Sequence, residues 1–262
     1  MQRREPIGVF DSGVGGLTVL KHIHQLLPAE DLIYVADSAF MPYGCKPEAV
    51  VEERCVKIAG FLAAQHCKAI VVACNTATAA AVHRLRDACS IPVIGMEPGV
   101  KPAVARTTSG VVGILATSGT ANSNKFKLLQ QRYAEHAELV VQPCPGLVEE
   151  IEKGELASPR LLSLLEQYLQ PLLQKHVDTL VLGCTHYPFI MPVLQEMVGE
   201  SVVIIDTGAA IARELERQLQ MRDLLADGGG AGQTRFWSSG LNSADALAHL
   251  WGEQVSVAHL DI

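Results

Sequence analysis

Two cysteines of this chain stand directly after short apolar segments, and polar residues follow each of them. Cys74 follows Ala69–Ala73, and Cys184 follows Thr179–Leu182 and a glycine. Such runs of β-branched and aliphatic residues are typical of buried strands, and open α/β sheets bind ligands beyond the carboxyl ends of their strands. Two thiols presented in this way could face each other across a cleft. This arrangement suits a reaction that needs a proton carrier on each side of a small substrate.

The other cysteines show no comparable pattern. The chain has seven cysteines, and no two of them have the C-x-x-C spacing of a structural zinc site or of a thioredoxin-like dithiol. An odd number of cysteines, without the regular spacing of a disulfide framework, is typical of a protein from a reducing compartment. We interpret the remaining ones as small buried hydrophobic residues or incidental thiols. They are Cys45, Cys55, Cys67, Cys89 and Cys144.

Composition limits the class of protein. The chain has 262 residues, of which 48% are hydrophobic and 19% charged, and such a chain can bury a globular core. A net charge of −7, without a cluster of lysine and arginine, argues against nucleic-acid binding. No apolar run reaches the roughly 18 residues of a membrane span, and the first residues enter a predicted strand without room for a signal peptide. We therefore expect a cytoplasmic protein without a membrane segment.

Strand and helix patterns alternate along the chain, which predicts an α/β fold with mainly parallel sheets flanked by helices. The predicted strands are Ile7–Phe10, Leu32–Ala36, Ala69–Ala73, Pro92–Gly95, Val111–Leu115, Leu139–Gln142, Thr179–Leu182, Val202–Ile205, Thr234–Trp237 and Val255–Ala258. The predicted helices are Gly16–Leu27, Pro47–Gln65, Thr76–Cys89, Ser123–Tyr133, Pro159–Lys175, Phe189–Met197, Ala209–Leu225 and Ala244–Trp251.

The order of these patterns indicates an internal duplication. Ile7–Gly13 and Val112–Gly119 are both strands that end in hydroxyl groups and glycine, and each is followed further along the chain by a cysteine strand. We predict two similar lobes related by a pseudo-two-fold axis, with the candidate site between them. One lobe comprises residues 1–97 and 208–262, and the other comprises residues 98–207.

The first strand runs into a glycine-rich turn, Asp11–Leu17. Its glycines do not have the G-x-G-x-x-G spacing of a dinucleotide site, and the turn lacks the lysine of a P-loop. They instead allow a small anionic ligand to approach the backbone near a helix N-terminus. Asp11 fits either a helix cap or a carboxylate beside a thiol. No lysine at a strand end accompanies phosphate-binding glycines, so we expect no pyridoxal cofactor. We also expect no other cofactor and no metal.

Five segments of the chain, taken in order, resemble the signature segments of the glutamate racemases, which belong to the cofactor-independent aspartate/glutamate racemase superfamily. These segments are Asp11–Gly16, Pro42–Gly44, Ala73–Ala77, Ala116–Thr120 and Gly183–Pro188. The resemblance runs from about Ile7 to the C-terminus and includes Thr234–Gly240. It implies two α/β lobes that enclose the substrate, interconversion of L- and D-glutamate, and a supply of D-glutamate for peptidoglycan and cell-wall synthesis.

The resemblance also implies catalytic roles. Cys74 would be the base that acts on D-glutamate and Cys184 the base that acts on L-glutamate, and each would serve as the acid in the other direction. Asp11 would assist Cys74, whereas His186 and Glu152 would assist Cys184. A protonatable neighbour can relay a thiol proton, and a cationic imidazole favours the thiolate. Glu152 lies in an acidic stretch that also fits a solvated helix face, and the residues before it are less apolar than is usual in the family.

The substrate would be held by backbone amides and hydroxyl groups more than by bulk positive charge, which agrees with an acidic protein. By the resemblance, the residues that line the pocket are Ser12, Pro42, Tyr43, Gly44, Asn75, Thr76, Thr117, Thr120 and Thr185. Asn75 and Thr76 also fit helix caps, and Tyr43 also fits a surface turn. A homodimer is compatible with the sequence, which does not determine the oligomeric state.

Three other interpretations remain open. A related racemase or decarboxylase would act on aspartate, a hydantoin or a malonate, although the second thiol disfavours a decarboxylase with one cysteine. A metal site would use Cys74, Cys184 and His186, for which the Cys-x-His spacing is awkward. A non-catalytic regulatory protein is the third, since some relatives are linked to control by cell-wall precursors or to inhibition of DNA gyrase. The sequence shows no long N-terminal extension of the kind associated with precursor activation, and regulation by such an effector stays open.

Overall fold

A computed structural model describes residues 3–228, 230–241 and 243–262. Its strands are β1 (Ile7–Asp11), β2 (Leu32–Ala36), β3 (Ala69–Val72), β4 (Val93–Gly95), β5 (Val111–Ala116), β6 (Glu138–Pro143), β7 (Thr179–Gly183), β8 (Val203–Ile205), β9 (Thr234–Ser238) and β10 (Val257–His259). Its α-helices are α1 (Leu17–Leu26), α2 (Glu48–Ala64), α3 (Asn75–Ala88), α4 (Val100–Arg106), α5 (Ser118–Asn122), α6 (Asn124–Tyr133), α7 (Leu147–Glu152), α8 (Pro159–Leu173), α9 (Met191–Val198), α10 (Gly208–Met221) and α11 (Ala244–Trp251). Short 3-10 helices cover Ser38–Phe40, Tyr43–Cys45 and Tyr187–Ile190.

The described strands form two sheets, and every strand pair in them is parallel. The six-stranded sheet has the order β10-β9-β2-β1-β3-β4, and the four-stranded sheet has the order β6-β5-β7-β8. The sequence-based fold class, α/β with mainly parallel sheets flanked by helices, is therefore confirmed. In both sheets the strand that carries a cysteine at its end, β3 or β7, pairs directly with the central strand, β1 or β5.

Helices cover both faces of each sheet, which is why the central strands are continuous apolar runs. In the six-stranded sheet, α1, α10 and α11 pack on one face, and α2 and α3 pack on the other. In the four-stranded sheet, α7, α8 and α9 pack on one face, and α4 and α6 pack on the other. All five residues of β1 are buried. This packing holds the carboxyl ends of β1, β3, β5 and β7 in place, where the candidate residues lie.

The chain passes between the sheets twice. The six-stranded sheet takes its strands from residues 7–95 and 234–259, and the four-stranded sheet takes its strands from residues 111–205. The two crossings pack against each other, because a Cβ atom on Gly99 would lie 3.0 Å from Ile205 and 3.2 Å from Thr207. The division into lobes after residues 97 and 207, and the pseudo-two-fold axis between them, stay predictions.

Every predicted strand coincides with an observed strand, although several ends shift. The sequence analysis missed the helices α4, α5 and α7, because segments as short as these contain too few turns to show helical periodicity. The predicted helix Phe189–Met197 is a 3-10 turn followed by α9. The predicted start of α8 is confirmed, since the Ser158 hydroxyl accepts a hydrogen bond from the backbone N–H of Leu161 at 3.2 Å. Among the described residues, no helix is both long enough and apolar enough to span a lipid bilayer.

Candidate active site

Asp11 organises the glycine-rich turn at the end of β1. Its carboxylate is fully buried and accepts hydrogen bonds from the backbone N–H of Ser12 at 2.7 Å and of Gly16 at 2.6 Å. Because Gly16 precedes α1, the same carboxylate holds the start of that helix and faces the candidate site. Burial raises the pKa of Asp11, while the charge of His186 and a contact with Cys74 act to lower it.

Cys74 lies at the carboxyl end of β3 and caps α3 with its own sulfur. Its Sγ accepts from the backbone N–H of Ala77 at 3.5 Å and lies 3.9 Å from the hydroxyl of Ser12. The cap of this helix is therefore the thiol, and the alternative role of Asn75 and Thr76 as caps is wrong. Burial raises the pKa of Cys74 well above its ordinary value, and the charge of Asp11 adds to this effect. The sulfur is thus held as a neutral thiol in the free protein.

A series of side-chain contacts at the end of β7 connects Cys184 to His186 and His186 to Glu152. The sulfur of Cys184 lies 3.8 Å from Nδ1 of His186, and Nε2 of the same ring lies 2.6 Å from Oε1 of Glu152. The Glu152 side chain is 12% exposed, so it does not belong to a solvated helix face. It extends from α7 toward the other sheet and accepts the backbone N–H of Val14 at 2.9 Å.

The charges of His186 and Glu152 stabilise each other. Burial alone would lower the pKa of His186, but hydrogen bonds to Cys184 and Glu152 outweigh it and raise that pKa well above its ordinary value. Burial alone would raise the pKa of Glu152, but the hydrogen bond and the charge of His186, and then the N–H of Val14, lower it. Both shifts favour the imidazolium–carboxylate form of the pair, and the ring faces the sulfur of Cys184.

The two thiols come from different sheets and lie near each other. Two hydrogen bonds connect their surroundings: the hydroxyl of Thr185 donates to Asp11 at 3.2 Å, and Val14 donates to Glu152. Both sulfurs are nearly buried, with Cys74 5% and Cys184 7% exposed. Hydrogen bonds between their neighbours therefore bring the two buried thiols to the same junction between the sheets.

Three threonine hydroxyl groups from the two sheets meet next to Cys74. Thr76 at the start of α3 lies 2.9 Å from Thr117 and 3.2 Å from Thr120, and Thr117 lies 3.0 Å from Thr120, oxygen to oxygen. The Pro42–Gly44 loop packs against this cluster, since a Cβ atom on Gly44 would lie 2.7 Å from the Cβ atom of Thr117. These hydroxyl groups can donate to or accept from a polar ligand.

Asn75 and Tyr43 differ in what they can offer to a ligand. Both polar atoms of the Asn75 amide are buried, and neither has a hydrogen-bond partner among the described residues. Buried amides are normally hydrogen-bonded, so this one is available to a bound molecule. Tyr43 is 1% exposed and its hydroxyl donates to Asp37 at 2.5 Å. Tyr43 is therefore not a surface residue, and its hydroxyl is already engaged by Asp37.

The sequence analysis missed the partners that hold these groups in place. The glycines after Asp11 were interpreted as room for a ligand, but a Cβ atom on Gly13 would overlap Oε1 of Glu152, and one on Gly15 would overlap Nδ1 of His186. They make room for the carboxylate and the imidazole. No local pattern marks these contacts, although the density of glycine does indicate close packing.

The three residues considered for a metal site do not form one. Among the described residues, no group of three or more histidine, cysteine, aspartate or glutamate side chains is arranged to hold a metal ion. His186 contacts Cys184 through one ring nitrogen and Glu152 through the other, so both nitrogens are already used.

Two parallel sheets flanked by helices are also the fold of glutamate racemases of known structure. The chain belongs to the Asp/Glu/hydantoin racemase family, whose model matches residues 7–215. It is 54% identical over 259 residues to the glutamate racemase of Ectopseudomonas mendocina, and the match covers 98% of each protein. The crystal structure of a glutamate racemase isoform from Bacillus anthracis superimposes with a TM-score of 0.90, at 36% identity, and the match covers 100% of this chain and 99% of that one.

A second solved structure was determined with a ligand bound. The glutamate racemase of Francisella tularensis in complex with D-glutamate superimposes with a TM-score of 0.86, at 31% identity, and the match covers 99% of this chain and 98% of that one. These matches confirm the resemblance inferred from the five sequence segments. They also confirm that the chain is an isomerase of the racemase type.

Proposed function

We propose that this enzyme interconverts L- and D-glutamate without a cofactor, using Cys74 and Cys184 on opposite faces of the α-carbon. One observation carries the proposal: the two thiols are buried and follow strands of different sheets, and each has its own ionisable neighbour. Asp11 accompanies Cys74, and His186 accompanies Cys184. The names of the close relatives support glutamate as the substrate.

The two thiols differ in a way that fits separate roles. The neutral thiol of Cys74, buried beside Asp11, is a proton donor in the free protein. Cys184 lies 3.8 Å from Nδ1 of His186, and an imidazole can relay a proton to or from a neighbouring group. In the L-to-D direction Cys184 removes the α-proton of L-glutamate while Cys74 delivers a proton to the other face. In the reverse direction the roles exchange. The buried site excludes water and stabilises the negative charge that develops on the substrate.

The binding groups fit an amino acid with two carboxylates. The unpartnered Asn75 amide, the hydroxyl cluster of Thr76, Thr117 and Thr120, and the Ser12 hydroxyl beside Cys74 supply polar contacts. Pro42, Tyr43 and Gly44 contribute a loop backbone against that cluster. Thr185 bridges to Asp11 and closes the pocket from the Cys184 side. We propose that the product supplies peptidoglycan synthesis in the cytoplasm, and that a homodimer is the state to test first by sedimentation.

The decisive experiment is racemisation of each glutamate enantiomer in deuterated water, with purified protein and no added cofactor. Two poorly exchanging thiols deliver solvent deuterium to the product and leave the remaining substrate protiated. Deuterium in the unreacted substrate at early times would indicate a single base. Loss of circular dichroism from aspartate but not from glutamate would show that the related aspartate activity is the correct one.

We expect Gly15→Ala to lower kcat by about 100-fold, because displacement of a catalytic group by about 1 Å has a cost of this order. The added Cβ atom would overlap His186 and would lie 2.6 Å from the hydroxyl of Thr185. Steady-state kinetics on both enantiomers measure the effect. Gly60→Ala on α2 is the matched control, since a Cβ atom there has nothing within 4 Å and alanine favours a helix. Equal kcat in the two variants would contradict the proposed role of His186.

We expect Glu152→Gln to shift the alkaline limb of the kcat/KM profile to lower pH. The hydrogen bond and charge of Glu152 help to raise the pKa of His186. Without them that pKa falls, so the imidazolium beside Cys184 is lost at a lower pH than in the wild type. The profile is measured from pH 5 to about 10, where histidine and cysteine titrate. An alkaline limb that stays in place would show that it reports another group.

A further inference from the structure

The peptide unit between Gly13 and Val14 makes two hydrogen bonds in opposite directions. Its carbonyl oxygen accepts from the hydroxyl of Tyr34 at 2.8 Å, and its N–H donates to Oε1 of Glu152 at 2.9 Å. A planar trans peptide holds these two groups antiparallel. Because the unit is rigid, the group that orients the carbonyl also orients the N–H.

The oxygen that accepts this N–H is the one that contacts His186. Oε1 of Glu152 lies 2.6 Å from Nε2 of His186, whose Nδ1 lies 3.8 Å from the sulfur of Cys184. A continuous row of polar contacts therefore runs from Tyr34 through the Gly13–Val14 peptide, Glu152 and His186 to Cys184. We call it the Tyr34–Cys184 row.

Tyr34 takes no part in the mechanism above. It stands on β2 with no exposed surface, and its ring packs against Phe236 with 6.2 Å between centroids. Burial, followed by the charges of Asp11 and Glu152, raises the pKa of its phenol well above the ordinary value. The hydroxyl therefore remains a donor throughout the range in which the enzyme works.

We propose that Tyr34 is a positioning residue for Cys184: its hydroxyl orients the Gly13–Val14 peptide, and that peptide holds Glu152 against His186. The proposal rests on the proposed function to the extent that Cys184 acts in catalysis. Without the phenolic donor, a buried carbonyl would be left unpaired, which favours rotation of the peptide toward another donor. The N–H of Val14 would then leave Glu152, although no atom of the pocket had been changed.

The first test is Tyr34→Phe, which keeps the ring and its packing. The N–H of Val14 lowers the pKa of Glu152, so its loss raises that pKa and moves the acid limb of the kcat/KM profile to higher pH. Among the described residues, the titratable group in contact with Glu152 is His186. We expect a shift of about 0.5–1 pH unit and a fall in kcat/KM of about tenfold, typical of a weakened hydrogen bond to a charged group. An acid limb that does not move would overturn the proposal.

The second test is a double-mutant cycle with Glu152→Gln. If Tyr34 acts through Glu152, the double variant is no slower than Glu152→Gln alone. Additive losses would show that Tyr34 has only a structural effect and would overturn the proposal. Phe236→Leu is the matched control, since it loosens the packing of the same ring and leaves the hydroxyl in place. It should lower stability in urea without moving the acid limb.

A measurement without turnover separates this proposal from the proposed function. The imidazole resonance of His186, assigned by its loss in His186→Asn, reports the ionisation of Glu152 because the two groups titrate as a pair. In Tyr34→Phe, the change in chemical shift that this resonance shows at acid pH, here called the acid step, should have its midpoint at a higher pH than in the wild type. If the wild type fails to racemise glutamate but the step moves, the proposed function fails and the role of Tyr34 stands. If the wild type racemises glutamate and the step does not move, the role of Tyr34 fails alone.

Discussion

Cys74→Ser and Cys184→Ser should each lower kcat for glutamate racemisation by about 10³–10⁴-fold, at the upper end of what general acid–base groups contribute. A serine hydroxyl cannot replace the thiol, because its proton is far less acidic. The two sulfurs act in the same step on opposite faces of one carbon. The double variant should therefore be no slower than either single variant, as for other residues that act as a unit. Circular dichroism of each glutamate enantiomer measures the loss.

The same variants should retain one partial reaction each. Loss of HCl from a glutamate that carries chlorine on its β-carbon needs a base to remove the α-proton, while chloride leaves with the bonding electron pair. No proton donor on the second face is required. Cys184→Ser keeps Cys74 and should eliminate HCl from the D-enantiomer, whereas Cys74→Ser should do so from the L-enantiomer. Loss of both eliminations in both variants would contradict separate facial roles.

Cys45→Ser is the matched control for these substitutions. Cys45 is an exposed free thiol whose sulfur lies 3.3 Å from the carbonyl oxygen of Pro42. It stands next to the binding loop but outside the pair of sulfurs. We expect racemisation and both eliminations to continue in this variant. A large loss there would mean that removal of any thiol near the site disturbs the loop.

Arg54→Met should destabilise the protein by about 3–5 kcal/mol, the range found when one partner of a buried ion pair is removed. Arg54 on α2 is 3% exposed and Asp37 after β2 is fully buried. The guanidinium donates to both oxygens of Asp37, at 2.9 and 2.8 Å. Without it, a buried carboxylate keeps the hydroxyl groups of Tyr43 and Ser239 as donors but has no countercharge.

Urea unfolding at neutral pH measures this effect, and two further variants interpret it. Arg84→Met removes an exposed ion pair with Glu52, whose side chains are 59% and 30% exposed, and should change stability by less than about 1 kcal/mol. Adding Asp37→Asn to Arg54→Met removes the unpaired charge and should recover much of the loss. The Arg54→Met protein should also show a raised KM, because Asp37 holds Tyr43 in the binding loop. Equal stability of Arg54→Met and Arg84→Met would contradict the buried charge as the cause.

The sequence alone predicted the order of strands and helices, the parallel sheets and the end of the strand at which each thiol lies. These features depend on local composition: buried parallel strands are continuous apolar runs, and long amphipathic helices repeat their apolar residues over several turns. The motifs that indicated a racemase are also local, since each lies in the turn after one strand. Short stretches of sequence are therefore enough to select the candidate site residues Cys74, Cys184, His186 and Asp11.

Only the tertiary structure decided which groups touch. Glu152 meets Val14 across 138 positions of the chain, and Thr185 meets Asp11 across 174. The local sequence of Glu152 fits a solvated helix face as well as a buried site, and that of Tyr43 fits a surface turn as well as a loop held by Asp37. Neither alternative can be resolved by periodicity. The partner of Glu152 comes from the turn after β1 of the other sheet. Tyr43 is buried in the core between the six-stranded sheet and the helices α2 and α3. These surroundings form only when the chain folds.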